Sequence, residues 1–254
     1  MGTLYENMIL GTMKEVCIVY AGTKFSTDYV VQKRKQLDKH CSKPTRLTVL
    51  TDDPATIMGL GLRDTRAVLL PDWQLTGRQL WWYKVYMFSR AIDWLGPVLY
   101  LDLDTVIIHD IVHLYKHEPD SFMILQDFNR AFISSYPISN SSVMRFDPRD
   151  HHSICEYFEQ NREDILRKFR GDQDYLTDWF KRLGGSKWWP REWCMSYKWE
   201  IQHGGSRRGG PDLVHPDDYY QPDIPYVIPG KCSIAVFHGR PMMLETEFYT
   251  DHIC

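Results

Sequence analysis

The apolar and polar segments in the first hundred residues alternate in a way that predicts strands separated by helices. Short apolar runs that end in Gly, Pro or Asp are typical of buried strands, and four occur at residues 16–20, 46–51, 67–70 and 98–101. Helical patterns lie between them at residues 28–38, with Ser26 or Thr27 as the cap, and at residues 78–92. This order predicts βαβ units and a parallel arrangement of neighbouring strands.

The second half of the chain is less regular. It contains candidate strands at residues 122–125, 142–146 and 233–237, and candidate helices near residues 153–161 and 173–180. The glycine-rich stretch 203–211 predicts a loop, in which Arg207 and Arg208 either close over a diphosphate or are simply solvated. With no repeat or linker, residues 1–254 are expected to form a single α/β domain with a mixed, mostly parallel central sheet flanked by helices.

Composition narrows the classes of partner. The net charge of −3 gives no general electrostatic reason to bind nucleic acid, and no segment approaches the roughly 20 apolar residues of a transmembrane helix. We therefore expect a cytoplasmic protein whose cysteines are free thiols. Aromatic residues make up 14% of the chain, and the tryptophan pairs at 81–82 and 188–189 belong either to the core or to a carbohydrate site.

Two carboxylates interrupt an apolar segment in Leu99-Tyr-Leu-Asp-Leu-Asp-Thr-Val106. In an extended chain the side chains of Asp102 and Asp104 point the same way, so both can face one site at the end of a strand. Two like charges this close repel unless a cation neutralises them. Carboxylate oxygens suit Mn²⁺ or Mg²⁺, which commonly bridge to substrate phosphates. The alternative is a solvated pair of aspartates in a turn.

This segment resembles the Asp-x-Asp motif of glycosyltransferases with the nucleotide-diphospho-sugar transferase (GT-A) fold, particularly the glycogenin-like and lipopolysaccharide galactosyltransferase-like family. Three further segments resemble elements of that family in the same order. They are Asn140-Ser-Ser-Val-Met, Gly171-Asp-Gln-Asp-Tyr-Leu and Val236-Phe-His-Gly-Arg-Pro. The matches span about residues 16–241, which is nearly the whole chain.

The resemblance implies transfer of a sugar from a nucleotide sugar, a UDP-sugar in most of the family, to a hydroxyl of a glycan, a lipid-linked glycan or a protein. It implies that Asp102, Asp104 and His238 hold Mn²⁺ or Mg²⁺, and that Asp172 and Gln173 face the transferred sugar. The remaining residues expected to contact the donor, together with Asp102, are Tyr20, Ala21, Asp52, Lys84, Asn140, Gly239 and Arg240.

The sequence leaves the roles of several residues, and two alternative functions, undecided. Arg240 directly follows Gly239, whereas the family has a longer spacing to its basic residue, which indicates a divergent bacterial or viral branch and leaves the diphosphate contact undecided. Lys84 could lay its stem over apolar surface, Asp52 could be a turn residue, and His238 could be satisfied in the core. A sugar-nucleotide nucleotidyltransferase and a non-catalytic sugar-nucleotide-binding protein are the alternative functions, and the stereochemical outcome is open.

Overall fold

A computed structural model describes residues 13–128, 138–203 and 226–253 of the chain. Its strands are mostly short, apolar and rich in β-branched residues, as the sequence pattern predicted. In chain order they are β1 (Lys14–Tyr20), β2 (Thr45–Thr51), β3 (Thr65–Leu69), β4 (Val98–Leu101), β5 (Thr105–Ile107), β6 (Met123–Gln126), β7 (Ser139–Phe146), β8 (Lys187–Trp188), β9 (Cys194–Ser196) and β10 (Ile234–Val236).

The central sheet has the strand order β3-β2-β1-β4-β7-β6-β8. Strand β1 pairs in parallel with β2 and β4, β2 pairs in parallel with β3, and β6 with β8. Strand β7 runs antiparallel to both β4 and β6. The mixed, mostly parallel sheet is therefore confirmed, and the carboxyl ends of β1, β2 and β4 lie along one edge, where ligand sites of such sheets occur.

The helices cover both faces of this sheet. They are α1 (Asp28–His40), α2 (Pro54–Gly59), α3 (Val112–Lys116), α4 (His152–Gln160), α5 (Arg162–Lys168), α6 (Asp172–Arg182) and α7 (Glu247–Ile253). Helices α1, α4 and α6 confirm the three predicted patterns at those positions. Thr27 stands at the cap position of α1 but its side chain makes no capping hydrogen bond, so neither proposed cap is used as expected. Helix α2 was not predicted: its first residue is Pro54, which ends a strand but also suits the first turn of a helix.

The predicted helix at residues 78–92 is wrong in type and in length. Residues Gly77–Phe88 form a twelve-residue 3₁₀ helix. Trp82, Val85 and Phe88 are all buried and repeat every three residues, which matches the three residues per turn of a 3₁₀ helix. Lys84, on the same helix, is buried as well.

Hydrophobic cores lie on both sides of the central sheet. Successive residues of β1 point to opposite faces, so Val16 and Ile18 join one core and Cys17 joins the other. The first core includes α1 and the small sheet, and the second includes the 3₁₀ helix and the buried ring of Phe158. Because both faces of the sheet are covered, a ligand site can form only from the loops at the carboxyl ends of the strands.

A small second sheet, in the order β5-β10-β9, links the chain after β4 to the C-terminal segment. Strand β10 pairs antiparallel with β5 and parallel with β9. Strand β9 was missed because Cys194–Ser196 is only three residues long. In the described part of the chain no helix is long and apolar enough to cross a membrane, and the cysteines there are free.

Candidate active site

The loops that follow β1 and β2 are joined at the sheet edge. The Gly22 amide donates a hydrogen bond to Asp52 Oδ2 at 2.8 Å. Gly22 has a φ of +67°, a left-handed conformation that favours glycine, and a Cβ at this position would also displace Leu80 Cδ1, 2.5 Å away on the 3₁₀ helix. Tyr20 and Ala21, both half-buried, precede this contact. Asp52 therefore does hold a turn, and it lies with Tyr20 and Ala21 at the edge where a donor contact was expected.

The carboxylate of Asp102 is fully engaged by neighbouring side chains. Tyr100 donates its hydroxyl to Asp102 Oδ1 at 2.6 Å, and Lys84 Nζ lies 2.8 Å from the same oxygen. The backbone is also fixed, because the Asp102 amide donates to the Ser142 carbonyl at 2.9 Å. Burial acts to raise the pKa of Asp102, but the charge of Lys84 and the hydrogen bonds from Lys84 and Tyr100 lower it below its usual value. Asp102 is thus held ionised.

Lys84 connects several elements of the site. Its side chain is buried, donates to Ser141 Oγ at 3.0 Å, and lies 3.9 Å from Asp172 Oδ2. Burial acts to lower the pKa of Lys84, yet the charges of Asp102 and Asp172 raise it above its usual value. The alternative of a lysine laid over apolar surface is therefore wrong. Lys84 is the internal cation between two carboxylates.

Asp172 and Gln173 begin helix α6 and line a cleft beside the 3₁₀ helix. Asp172 is 4% exposed, and its Oδ2 accepts no hydrogen bond from the described residues. Burial raises the pKa of Asp172, with the charge of Lys84 acting against it. Gln173 is half-buried at the same end of the helix. The structure therefore brings Asp172 near Asp102, with Lys84 between the two carboxylates.

Asp104 has a different environment, although it lies only two residues from Asp102. Its half-buried carboxylate makes no hydrogen bond or ion pair with the described residues. Burial raises the pKa of Asp104 to about 7, and the neighbouring charge of Asp102 adds to the effect. A free carboxylate oxygen beside a second, ionised carboxylate is what a divalent cation would neutralise.

A buried lysine beneath this turn was not predicted. Lys33 of α1 is fully buried, and its Nζ donates to the carbonyl of Thr105 at 2.5 Å and to Thr105 Oγ1 at 2.6 Å. Thr105 Oγ1 in turn donates to the carbonyl of Asp102 at 2.8 Å, so Lys33 fixes the turn that carries both aspartates. Burial lowers the pKa of Lys33 to about 7. The signal was available, because residue 33 continues the buried stripe of Tyr29, Val30 and Leu37.

The C-terminal element lies next to Asp104. The Phe237 amide, at the end of β10, donates to the Asp104 carbonyl at 2.9 Å. His238 follows, with Nε2 2.7 Å from Ser196 Oγ and its ring 5.6 Å from the ring of Phe128 between centroids. Gly239 has a φ of +71°, a left-handed conformation that suits glycine. Arg240 is 78% exposed and lies 3.8 Å from Glu245 Oε1, so its side chain is at the surface.

Among the described residues, no group of three or more His, Cys, Asp or Glu side chains is arranged so that it could hold a metal ion. The chemistry of the donor set nevertheless fits a divalent cation. Asp104 offers a carboxylate without a hydrogen bond, and Asp102 is ionised. The hydrogen bond from the Phe237 amide to the Asp104 carbonyl brings the segment that carries His238 alongside this turn. Nε2 of His238 lies 2.7 Å from Ser196 Oγ, so that nitrogen would have to exchange its partner to become a ligand.

The remaining predicted residues divide between site and scaffold. Asn140 accepts a hydrogen bond from the Ser142 amide at 3.0 Å, which shapes the strand beside Asp102. Each tryptophan pair has one buried member, Trp82 or Trp189, and one exposed member, Trp81 or Trp188. Only the exposed members could meet a sugar. Arg207 and Arg208 lie outside the described residues.

Comparison with solved structures finds glycosyltransferases. An active-site mutant of LgtC has a TM-score of 0.62 at 16% identity, over 90% of this chain and 88% of LgtC. The galactosyltransferase LgtC with donor and acceptor sugar analogues gives 0.58 at 16% identity over the same shares. Apo GlyE, a glycosyltransferase of Streptococcus pneumoniae TIGR4, gives 0.59 at 17% identity, over 91% of this chain and 56% of GlyE.

No family model matches the sequence, and no curated protein matches it. At these identities the structural likeness establishes the fold. The chain has the GT-A glycosyltransferase fold, as the order of its motifs predicted, with a central mixed sheet flanked by helices. What it binds and transfers must be argued from its own side chains.

Proposed function

We propose that the chain is a metal-dependent glycosyltransferase that moves a sugar from a UDP-sugar to a hydroxyl acceptor. The observation that carries the proposal is the unequal pair of aspartates at the sheet edge. Asp102 is neutralised by Lys84, whereas Asp104 has no hydrogen-bond or ion-pair partner among the described residues. A structural turn would need neither the buried lysine nor the free carboxylate beside it.

Asp102, Asp104 and His238 are the residues that would hold Mn²⁺ or Mg²⁺. When bound, the cation would neutralise the negative charge that develops on the diphosphate leaving group. The protein itself orients the aspartates, through Lys84 on one side and through Lys33 and Thr105 below. An imidazole ligand beside carboxylates favours Mn²⁺ over Mg²⁺.

Asp172 and Gln173 are placed for the chemistry at the sugar. If the reaction retains configuration, these side chains would lie on the reacting face of the sugar. If it inverts, a carboxylate must accept the acceptor's proton, and the raised pKa of buried Asp172 makes it a better proton acceptor than an ordinary aspartate. Lys84, 3.9 Å from Asp172 Oδ2, positions that carboxylate in either case.

The alternative functions differ from this proposal in ways that can be measured. A nucleotidyltransferase needs a glycine-rich, arginine-containing loop after its first strand, and Ala21-Gly22-Thr23-Lys24 does not resemble one. A non-catalytic sugar-nucleotide-binding protein would bind UDP-sugars without consuming them. Slow hydrolysis of the donor therefore separates the proposal from the binding protein.

The test is calorimetric titration of UDP, together with UDP release from a panel of UDP-sugars. UDP affinity should fall at least about tenfold, or about 1.4 kcal/mol, when EDTA replaces Mn²⁺. Asp172→Asn should retain UDP affinity and lose most donor hydrolysis, whereas Asp150→Asn, an exposed carboxylate away from the site, should change neither. Equal UDP affinity with Mn²⁺ and with EDTA would falsify the role given to Asp102 and Asp104.

A further inference from the structure

A cleft of about 740 Å³ lies beside Asp172 and Gln173, between the 3₁₀ helix and the segment from Leu166 to Asp174. Its volume falls in the range of sites for small molecules and sugars. Asp172 and Gln173 form part of its wall, and Asp172 is linked to Asp102 through Lys84. The cleft therefore opens directly onto the residues proposed to face the transferred sugar.

An exposed tryptophan forms one side of this cleft. The Trp81 side chain is 43% exposed, whereas its neighbour Trp82 is buried in the core. The indole lies against the backbone that precedes Asp172, since a Cβ on Gly171 would be 3.4 Å from Trp81 Nε1. An aromatic face held beside a reactive carboxylate suits the apolar C–H face of a sugar ring.

The charge around the cleft is positive, although the chain as a whole has a net charge of −3. Its lining includes the four cations Arg78, Arg167, Lys168 and Arg170 and the two acids Asp172 and Asp174. Of the two acids, Asp172 is already buried against Lys84, and Asp174 is paired with Arg170 at 3.2 Å. The lining therefore carries more positive charge than its own carboxylates neutralise.

The cations differ in how far they are already engaged. Arg167 pairs with Asp164, but both side chains are about three-quarters exposed, and pairs of this kind contribute little. Arg78 is exposed and has no ion pair with any residue in the described part of the chain. Its guanidinium is therefore the group best placed to form a bidentate pair with an oxyanion.

We propose that this cleft is the acceptor subsite, and that the acceptor is a sugar bearing an anionic group, a phosphate or a carboxylate. Trp81 stacks on the ring, and Arg78 pairs with the anion, supported by the neighbouring arginines. The inference rests on the proposed glycosyl transfer, and it deepens it by naming the class of acceptor. It assigns the cleft to the acceptor and not to the diphosphate of the donor.

The experiment compares a neutral sugar with its anionic derivatives. Glucose, glucose 6-phosphate and glucuronic acid are tested as acceptors of the UDP-sugar that is hydrolysed fastest, and their binding is followed by calorimetry in the presence of Mn²⁺ and UDP. The anionic sugars should bind at least about tenfold more tightly than glucose at low salt, with the difference shrinking as salt is raised. The phosphate and carboxylate arms show which anion is preferred.

Two variants and one control make the test specific. Arg78→Gln should reduce the preference for the anionic sugars to less than about twofold while leaving UDP affinity unchanged. Trp81→Ala should weaken neutral and anionic sugars alike, and Arg149→Gln, an exposed arginine outside the cleft, should alter neither. Circular dichroism checks that each variant is folded.

Each outcome decides the inference. Equal binding of glucose and its anionic derivatives would overturn it, as would loss of UDP affinity in Arg78→Gln, which would give the cleft to the donor. If UDP fails to bind with Mn²⁺ while the anionic sugars still bind through Arg78, the proposed glycosyl transfer fails and the anion site stands. The two failures are thus distinguishable.

Discussion

The two sides of the turn between β4 and β5 differ in how their charges are balanced. On one side Asp102 accepts hydrogen bonds from Tyr100 and Lys84 and is held ionised. On the other side Asp104 has no such partner in the described structure, and its pKa is raised to about 7. The protein supplies its own cation for one carboxylate and leaves the other to be neutralised from outside. Under the proposed function, Asp104 is the carboxylate that a bound divalent cation would neutralise.

The largest expected effect comes from removing the internal cation. Lys84→Met would leave Asp102 and Asp172 close together without their common partner, and breaking a buried ion pair in this way costs about 3–5 kcal/mol. We expect a lower free energy of unfolding in urea, and loss of donor hydrolysis in whatever protein remains folded. Lys35→Met, on the exposed face of α1, is the matched control. Unchanged stability of Lys84→Met would show that the two sides do not differ as described.

An intermediate effect is expected at His238, which lies near Asp104. His238→Ala should lower the Mn²⁺-dependent part of UDP affinity about tenfold, or about 1.4 kcal/mol. Ser196→Ala releases the hydrogen bond at 2.7 Å to His238 Nε2, so it should keep or improve that affinity. Calorimetry of UDP with Mn²⁺ and with EDTA measures both. If His238→Ala instead melts at a lower temperature and retains its Mn²⁺ affinity, the histidine belongs to the core.

The smallest expected effect is the change in folding stability caused by ionisation of Asp104. In the folded protein its pKa is about 7, above the ordinary aspartate value of 3.8 that the unfolded chain retains. Asp104 therefore contributes stability below that ordinary value, and the contribution is lost as pH rises through about 7. Without metal, Asp104→Asn should be more stable than the wild type at pH 8, by on the order of 1 kcal/mol after allowance for solvent screening, and equally stable near pH 4.

Urea unfolding in EDTA at both pH values checks this expectation. At pH 8, Lys84→Met should lower the free energy of unfolding whereas Asp104→Asn should raise it, and this difference would support the contrast between Asp102 and Asp104. If Asp104→Asn is less stable than the wild type at pH 8, the Asp104 carboxylate already has a favourable partner in the protein. The contrast drawn between Asp102 and Asp104 would then be wrong.

Much of this arrangement could be predicted from the sequence. Short apolar runs that end in turn-forming residues placed β1, β2 and β4, and the apolar strand interrupted by two aspartates marked the sheet edge. Lys84 is the only charged residue between Leu80 and Phe88, which marked it as a candidate site residue. These signals are local, because each depends on a side chain and its neighbours within one strand or helix.

The rest could not be read from local patterns. The 3₁₀ winding of Gly77–Phe88 depends on which faces are buried by tertiary packing, which apolar residues alone did not distinguish from an α-helix. Strands β5 and β10 are far apart in the chain, so no short sequence pattern predicts that they pair. Lys33 was overlooked because a lysine in a helix is usually solvated, and only its place in the stripe of Tyr29, Val30 and Leu37 marks it as buried.

The small sheet that carries β5 and β10 also bears on the order in which the site assembles. Lys84 and Asp102 are 18 residues apart, whereas the neighbouring contact between His109 and the Cys232 carbonyl spans 123 residues. Closing the longer loop has the greater entropic cost, and contacts of high sequence separation form slowly. During synthesis the Lys84–Asp102 contact can form as soon as the first four strands have emerged, while Asp104 meets the Phe237 amide only after β10 has been made. The turn that carries both aspartates therefore gains its last backbone partner only when the C-terminal segment has been made.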